Sequence, residues 1–165
     1  MDQQRRQELK QFFLSTLLDD VVPFWLTHSL DHDYGGYFNN LDRSGAIYDT
    51  DKAMWLLGRG VWLYSTLYNT LEPRQEWLDA ARLGYEFLAK HGFDSDGRMF
   101  FQVTQDGQPL RKRRYFYTET FGVMDSRGAS RLAMMPSLRI RRMYSEKSSM
   151  GTGGILTTMW VSKIT

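Results

Sequence analysis

The sequence contains no cysteine among its 165 residues, which excludes a disulfide framework, a thiol nucleophile and a thiolate metal site. Long apolar stretches are also missing. The longest uninterrupted runs have five or six residues, as over positions 21–26, which is far too few to span a bilayer. The polar beginning, MDQQRRQELK, lacks the apolar core of a signal peptide. These absences predict a cytoplasmic protein without membrane association.

What the chain does contain is enough apolar surface for one folded domain. Hydrophobic residues make up 42% of the sequence and aromatic residues 15%, including five tryptophans, nine tyrosines and ten phenylalanines. A disordered chain has few aromatic residues, so this composition indicates a packed core. The length suits a single domain and is too short for most two-domain enzymes.

Charge divides the chain into two unlike parts. Residues 126–165 hold seven basic residues and one acidic residue, whereas residues 1–125 hold 14 basic and 18 acidic residues. A basic tail is one mark of nucleic-acid binding, but the body carries no recognition motif for nucleic acid, so we expect none to bind. No metal-ligand cluster or nucleotide motif is present either, and we expect neither a metal nor a cofactor.

Residue patterns predict four main helices and two hairpins. Apolar residues at helical spacing mark the helices, and paired short strands around Gly-containing turns mark the hairpins. The predicted elements are a helix over 3–28 that Pro23 kinks or divides, a hairpin over 34–49, a helix over 51–69, a helix over 72–93 with Pro73 in its first turn, a hairpin over 94–110, and a helix beginning within 113–124.

These elements repeat at a shift of 62 residues. The shift aligns Gly35 with Gly97, Phe38 with Phe100, Gly45 with Gly107 and Lys52 with Arg114. Such a period is typical of solenoids and closed toroids built from helix pairs. The 72–93 helix is amphipathic, whereas the 51–69 helix has a pattern typical of a helix buried on all sides. The sequence therefore predicts an all-α fold in which amphipathic outer helices surround buried inner ones.

Arg59 is the unusual residue of the 51–69 helix, because it lies between Gly58 and Gly60 and within one turn of Trp55 and Trp62. One interpretation is a structural ion pair with Asp49 or Glu119, since an unpaired buried arginine costs several kcal/mol. The other is a pocket wall. Glycines inside a helix indicate close approach of another backbone or of a ligand, and arginine with tryptophan suits a sugar.

Several motifs together resemble the N-acylglucosamine 2-epimerase family, which includes cellobiose 2-epimerases and aldose–ketose isomerases. They are the Phe24-Trp25 pair, D-x-x-x-GG-aromatic-F from Asp31, K-x-x-W-L-x-GR-x-x-W from Lys52, and RYFYTETF over 114–121. The resemblance implies an (α/α)6 barrel with a sugar in its central cleft. It also implies that Arg59 and Tyr117 bind substrate beside Trp55 and Glu119, with Glu119 more a structural partner than a catalyst.

The family's chemistry exchanges the proton on the sugar's second carbon, which needs a base and an acid with pKa values near neutrality. The resemblance implies two catalytic histidines in the second half of the barrel. This sequence has only His28, His32 and His91, all in the part that matches the first half. We therefore expect no catalytic residue here and an inactive chain.

The sequence changes character after residue 124, where methionines cluster and acidic residues nearly vanish. We expect residues 1–124 to form about the first two helix–hairpin–helix units of the barrel. Residues 125–165 are expected to be an atypical basic tail, whose composition resembles that of a truncated or out-of-frame segment. A part-barrel would leave an apolar edge open, which favours self-association.

Two alternatives to an incomplete sugar epimerase remain open. One is a non-catalytic fragment that binds carbohydrate or protein. The other is a glycoside hydrolase on the same barrel, with two of Asp33, Asp49, Asp51 and Glu119 as its carboxylates.

Overall fold

A computed structural model describes residues 2–112 and 117–122 of the chain. The tail over 125–165 lies outside the described residues. The helices are α1 (Gln3–Ser15), a π-helical turn (Thr16–Val21), α2 (Val22–His28), α3 (Met54–Thr70), α4 (Gln75–His91) and α5, the helical residues 117–122. The strands are β1 (Asn40–Leu41), β2 (Ile47–Asp49), β3 (Lys52–Ala53), β4 (Gln102–Val103) and β5 (Pro109–Arg111).

The predicted long N-terminal helix is present, and it is divided just before Pro23. The π-helical turn ends at Val21, and the amide of Val22 donates to the carbonyl of Leu17, five residues back. Pro23 then occupies the first turn of α2, directly after the π turn, which accommodates a residue that has no N–H to donate to the preceding turn. The π turn thus lets the chain pass the proline without leaving its helical course.

Helices α3 and α4 form the core of the described structure. The prediction that α3 starts at residue 51 is wrong, because Lys52 and Ala53 pair with β4 as a strand before the helix begins at Met54. The prediction that α3 is buried on all sides is also wrong. Among the residues that the structure describes, one face is enclosed, and Arg59 and Trp62 lie exposed on the other.

Helix α4 is amphipathic, as predicted. Its buried residues include Trp77, Leu78, Ala81 and Leu88, while its charged residues face outward. Pro73 is not in the first turn as predicted. The helix is capped by Arg74, whose backbone is extended, and Pro73 precedes that cap.

Both predicted hairpins form. Strands β1 and β2 make a two-stranded antiparallel sheet, and β4 pairs with both β3 and β5 in a three-stranded one. Gly45 and Gly107 occupy the two turns with φ of +86° and +92°, a backbone region that other L-residues rarely adopt. The second hairpin therefore contacts the start of α3 through strand pairing with β3, whereas the first does so through side-chain hydrogen bonds from Asn39 and Asn40 to the carbonyl of Asp51.

The predicted repeat is visible in the backbone hydrogen bonds. The amide of Phe38 donates to Ser29, and the amide of Phe100 donates to Gly92. In the hairpin turns, Gly45 donates to Asp42 and Gly107 donates to Thr104. Equivalent positions in the two units are 63 residues apart before the hairpin, as for Ser29 and Gly92, and 62 apart within it, as for Phe38 and Phe100. The second unit is therefore one residue shorter between its helix and its hairpin.

Each hairpin turn rests on a histidine at the end of the preceding helix. A Cβ added to Gly45 would lie 2.3 Å from the His28 ring, and one added to Gly107 would lie 2.1 Å from that of His91. The two imidazoles also contact a ring one turn earlier, with centroids 5.0 Å apart for Phe24 and His28 and 4.8 Å for Phe87 and His91. Both histidines therefore pack beneath a hairpin turn.

A buried ion pair joins the two units. The Lys52 ammonium is fully enclosed and lies 2.7 Å from the Asp31 carboxylate. It also donates to the carbonyls of Gly35 and Gln105, and the Gln105 side chain donates to Asp31. Although burial alone would raise the pKa of Asp31, these hydrogen bonds and the lysine charge lower it. The pair ties the first hairpin loop, the start of α3 and the second hairpin together.

We predict that Lys52→Met will destabilise the fold by about 3–5 kcal/mol, because it removes the counter-charge of a buried carboxylate and leaves two carbonyls without their lysine donor. Lys112→Met is the matched control. Lys112 pairs with Asp94 and Asp96 at the surface, so its loss should cost far less. Urea unfolding of both variants measures the difference. Equal losses would show that the buried pair does not organise the fold.

We predict a second, pH-dependent loss of stability that comes from His91. Burial, the nearby Lys90 and, more weakly, Lys52 lower its pKa below 6.5, and Asp106 and the Gly107 backbone only partly oppose this. The unfolded chain therefore binds more protons below pH 6.5, and stability falls as the pH drops through that value.

His91→Gln should be less stable than the parent at pH 7.5 and should lose less stability on going to pH 5.5. An NMR titration midpoint of His91 at or above 6.5 would contradict the prediction.

Candidate active site: the exposed face of the third helix

One stripe of α3 lies opposite its buried face and carries Trp55, Arg59 and Trp62. Positions 55, 59 and 62 fall within about 60° of one another on a helix of 3.6 residues per turn. The buried residues Leu57, Val61 and Tyr64 occupy the other side. The core therefore fixes the helix from behind and leaves an arginine and two tryptophans on its free side.

Helix α5 lies against this stripe because Gly58 has no side chain. A Cβ on Gly58 would meet the backbone oxygen of Phe121 at 3.1 Å. The close approach brings the Tyr117 and Phe121 rings to Trp55, with centroids 5.6 and 5.9 Å away. Contacts advance in the same direction along both segments, from Trp55 with Tyr117 to Gly58 with Phe121. The two helices are therefore adjacent and run in the same direction.

Gly60 has a different packing partner. A Cβ there would lie 2.5 Å from the Tyr37 ring, whose hydroxyl donates to the carbonyl of Ala80 on α4 at 2.7 Å. The two glycines beside Arg59 thus serve the approach of a backbone and of a tyrosine ring. The prediction of close approach is correct, and the approaching group at each is protein.

Arg59 is exposed, and its guanidinium lies 5.7 Å from the centroid of the Phe121 ring. Within residues 2–112 and 117–122 it forms no ion pair, so the suggested pairing with Asp49 or Glu119 is wrong. Asp49 instead accepts from the Asp51 amide at 3.0 Å. Within the described part of the chain, the donors of Arg59 are left to solvent or to a ligand, and the Phe121 ring is near enough for a weak cation–π contact.

Tyr117 and Glu119 point in different directions. Tyr117 is 46% exposed beside Trp55. Glu119 is half-buried against the second hairpin, where it accepts a long hydrogen bond of 3.5 Å from the Met99 amide. Burial raises the pKa of Glu119 despite that bond and the nearby Arg98. Glu119 therefore contacts the second hairpin, and its role at the site stays a prediction.

The structure brings none of the three histidines into the aromatic cluster around Trp55. His28 and His91 are held under the hairpin turns, and His32 is exposed in the loop after α2. In the described part of the chain, no group of three or more His, Asp or Glu side chains is arranged to hold a metal ion. Nor does any described helix have the length and apolarity needed to cross a membrane.

The family model for N-acylglucosamine 2-epimerase (GlcNAc 2-epimerase) matches residues 36–136. The chain belongs to this family. Its sequence is 43% identical over 111 residues to rat N-acylglucosamine 2-epimerase (Rattus norvegicus). The matched stretch covers 65% of this chain and 26% of the relative. It is 31% identical over 116 residues to the cellobiose 2-epimerase of Dictyoglomus turgidum, and this match covers 68% of this chain and 29% of the relative. The chain thus spans about a quarter of the length of these curated relatives.

Solved structures of the family agree with the fold. The cellobiose 2-epimerase from Spirochaeta thermophila DSM 6192 superposes with a TM-score of 0.71 at 23% identity, over 81% of this chain and 33% of that one. The cellobiose 2-epimerase from Bacillus thermoamylovorans B4167 superposes with a TM-score of 0.66 at 26% identity, over 73% of this chain and 32% of that one. Cellobiose 2-epimerases are (α/α)6 barrels, so the predicted fold class is confirmed and the described residues form part of such a barrel.

Sequence reasoning missed the pair of Asp31 and Lys52. Both positions stand at the head of family motifs, D-x-x-x-GG and K-x-x-W-L, and that shared placement was the available signal. The pairing itself depends on a contact between residues 21 apart, which no local pattern predicts.

Proposed function

We propose that the protein is a sugar 2-epimerase or isomerase of its family and that the exposed stripe of α3, with Tyr117, forms one wall of the sugar site. The observation that carries the proposal is the exposed guanidinium of Arg59, without an ion-pair partner in the described part of the chain, beside an aromatic cluster. Sugars present hydroxyl oxygens to such donors and C–H faces to aromatic rings.

In this reaction the sugar ring opens, a base removes the proton from the second carbon, and an acid returns a proton to the opposite face. The intermediate enediolate is negative, so a fixed guanidinium near its oxygens would stabilise it. We assign that role to Arg59. Tyr117 would donate to or accept from a sugar hydroxyl next to it.

The proton-transfer pair is not among the described residues of the site. His28 and His91 support hairpin turns, and His32 lies in a surface loop. We therefore propose that these residues bind the sugar and that the chain as given does not turn it over. The same observation keeps open the alternative of a fragment that binds carbohydrate or protein without catalysis.

A glycoside hydrolase finds less support in the geometry. Such an enzyme needs two carboxylates across the scissile bond. Asp51 accepts from Gln102, and Glu119 accepts from Met99, so both are engaged with the second hairpin. Among the described contacts, no carboxylate is paired with the exposed arginine of the stripe.

The remaining expectations about partners and location stay predictions. Phe12 and Phe13 on α1 are 61% and 64% exposed, which favours self-association of the chain. Absence of nucleic-acid binding, residence in the cytoplasm and the domain boundary at residue 124 also remain predictions.

We predict that Arg59→Lys will weaken sugar binding at least tenfold and leave the melting temperature nearly unchanged. Lysine keeps the positive charge but loses the planar two-pronged donor set, and an exposed side chain contributes little to stability. Arg43→Lys, in the first hairpin turn, is the matched control and should change neither quantity. A lowered melting temperature with unchanged binding would make Arg59 a structural residue.

We predict no exchange of the sugar's second-carbon proton with deuterated solvent when the 165-residue chain is incubated with N-acetylglucosamine, N-acetylmannosamine or cellobiose. Loss of both the base and the acid removes far more than the roughly 10²–10⁴-fold that one such group supplies. NMR of the sugar follows the exchange. Exchange that disappears in a His28, His32 or His91 variant would give that histidine a catalytic role.

A further inference from the structure

The two tryptophans of the α3 stripe have different surroundings. Trp55 is packed between α3 and α5, where its ring contacts both Tyr117 and Phe121. Trp62 lies two turns further along the same face and is 40% exposed. Within residues 2–112 and 117–122 it makes no hydrogen bond, ring contact or cation contact.

Trp62 therefore has an indole surface that the described fold does not use. It stands three residues after Arg59, which places the two side chains next to each other on the helix surface. The backbone beneath them is held by buried Val61 and Ser65, so the stripe is rigid. A rigid aromatic face beside a set of unengaged guanidinium donors presents the two kinds of contact that a sugar ring requires.

We propose that Trp62, rather than Trp55, is the aromatic platform on which the sugar stacks, with Arg59 binding its hydroxyls. This inference rests on the proposed sugar site and assigns the stacking contact within it. Trp55 becomes a positioning residue, because it holds the Tyr117 ring at the edge of the site. The ligand class is a pyranose with one apolar C–H face, and a second ring would extend along the stripe.

The test uses the full 165-residue chain with nitrogen-15 in its indole rings. The five tryptophan N–H signals are assigned by single Trp→Phe variants, and N-acetylglucosamine, N-acetylmannosamine and cellobiose are titrated separately. We expect the Trp62 signal to shift with at least one sugar. The Trp25 signal should stay in place, since Trp25 has similar exposure on α2 at 37% and packs on Phe24.

Variants then separate this inference from the proposed function. We expect Trp62→Ala to weaken binding about tenfold or more, Trp62→Phe to weaken it less, and the control Trp25→Ala to leave it unchanged. Binding that is lost in Arg59→Lys but kept in both Trp62 variants would overturn the stacking role alone. If no sugar binds the parent chain, or if Arg59→Lys binds as well as the parent, the proposed site itself is overturned.

Saturation transfer from the protein to the bound sugar's C–H protons provides a measurement that does not depend on a foldable Trp62 variant. Transfer is expected to be strongest for the protons of one sugar face when the indole resonances are irradiated. Equal transfer to both faces would contradict stacking on a single platform.

Discussion

The fold depends on the buried ion pair between Asp31 and Lys52. A lysine that is fully enclosed is stable only if its charge and its three donors are all satisfied, and here a carboxylate and two carbonyls do so. Those partners belong to the first hairpin loop and the second hairpin, while Lys52 belongs to the strand that leads into α3. The pair therefore fixes where α3 begins. It thereby also fixes the position of the exposed stripe along the helix axis and its rotation about that axis.

The repeat extends from the backbone to the way each hairpin meets an inner helix. Tyr37 packs on Gly60 in the first unit, and Met99 packs on Gly122 in the second, so both partners are shifted by 62 residues. A bulky side chain from the hairpin enters a gap that a glycine opens in the helix. This contact sets the distance between hairpin and helix in both units, and neither glycine can gain a Cβ without moving its partner.

Local patterns predicted much of the fold because the repeat, the hairpin turns and the amphipathic face of α4 are each written in short stretches of sequence. Gly45 and Gly107 are examples, since a turn with positive φ selects glycine directly. The start of α3 and the enclosure of its faces could not be predicted in this way. Lys52 and Ala53 are drawn into a sheet by β4, about 50 residues later, and only tertiary contact decides which face of a largely apolar helix is covered.

The same distinction changes the reasoning about the site. The glycines around Arg59 predicted close approach of a backbone or of a ligand, and both gaps are filled by protein, by Phe121 at Gly58 and by Tyr37 at Gly60. Support for a sugar site therefore comes from side chains that remain exposed after the described residues have packed. An exposed tryptophan costs solubility, and neither it nor an exposed arginine contributes much to stability. Because both residues lie on the helix face opposite the core, Arg59 and Trp62 are the side chains through which we propose that a sugar binds.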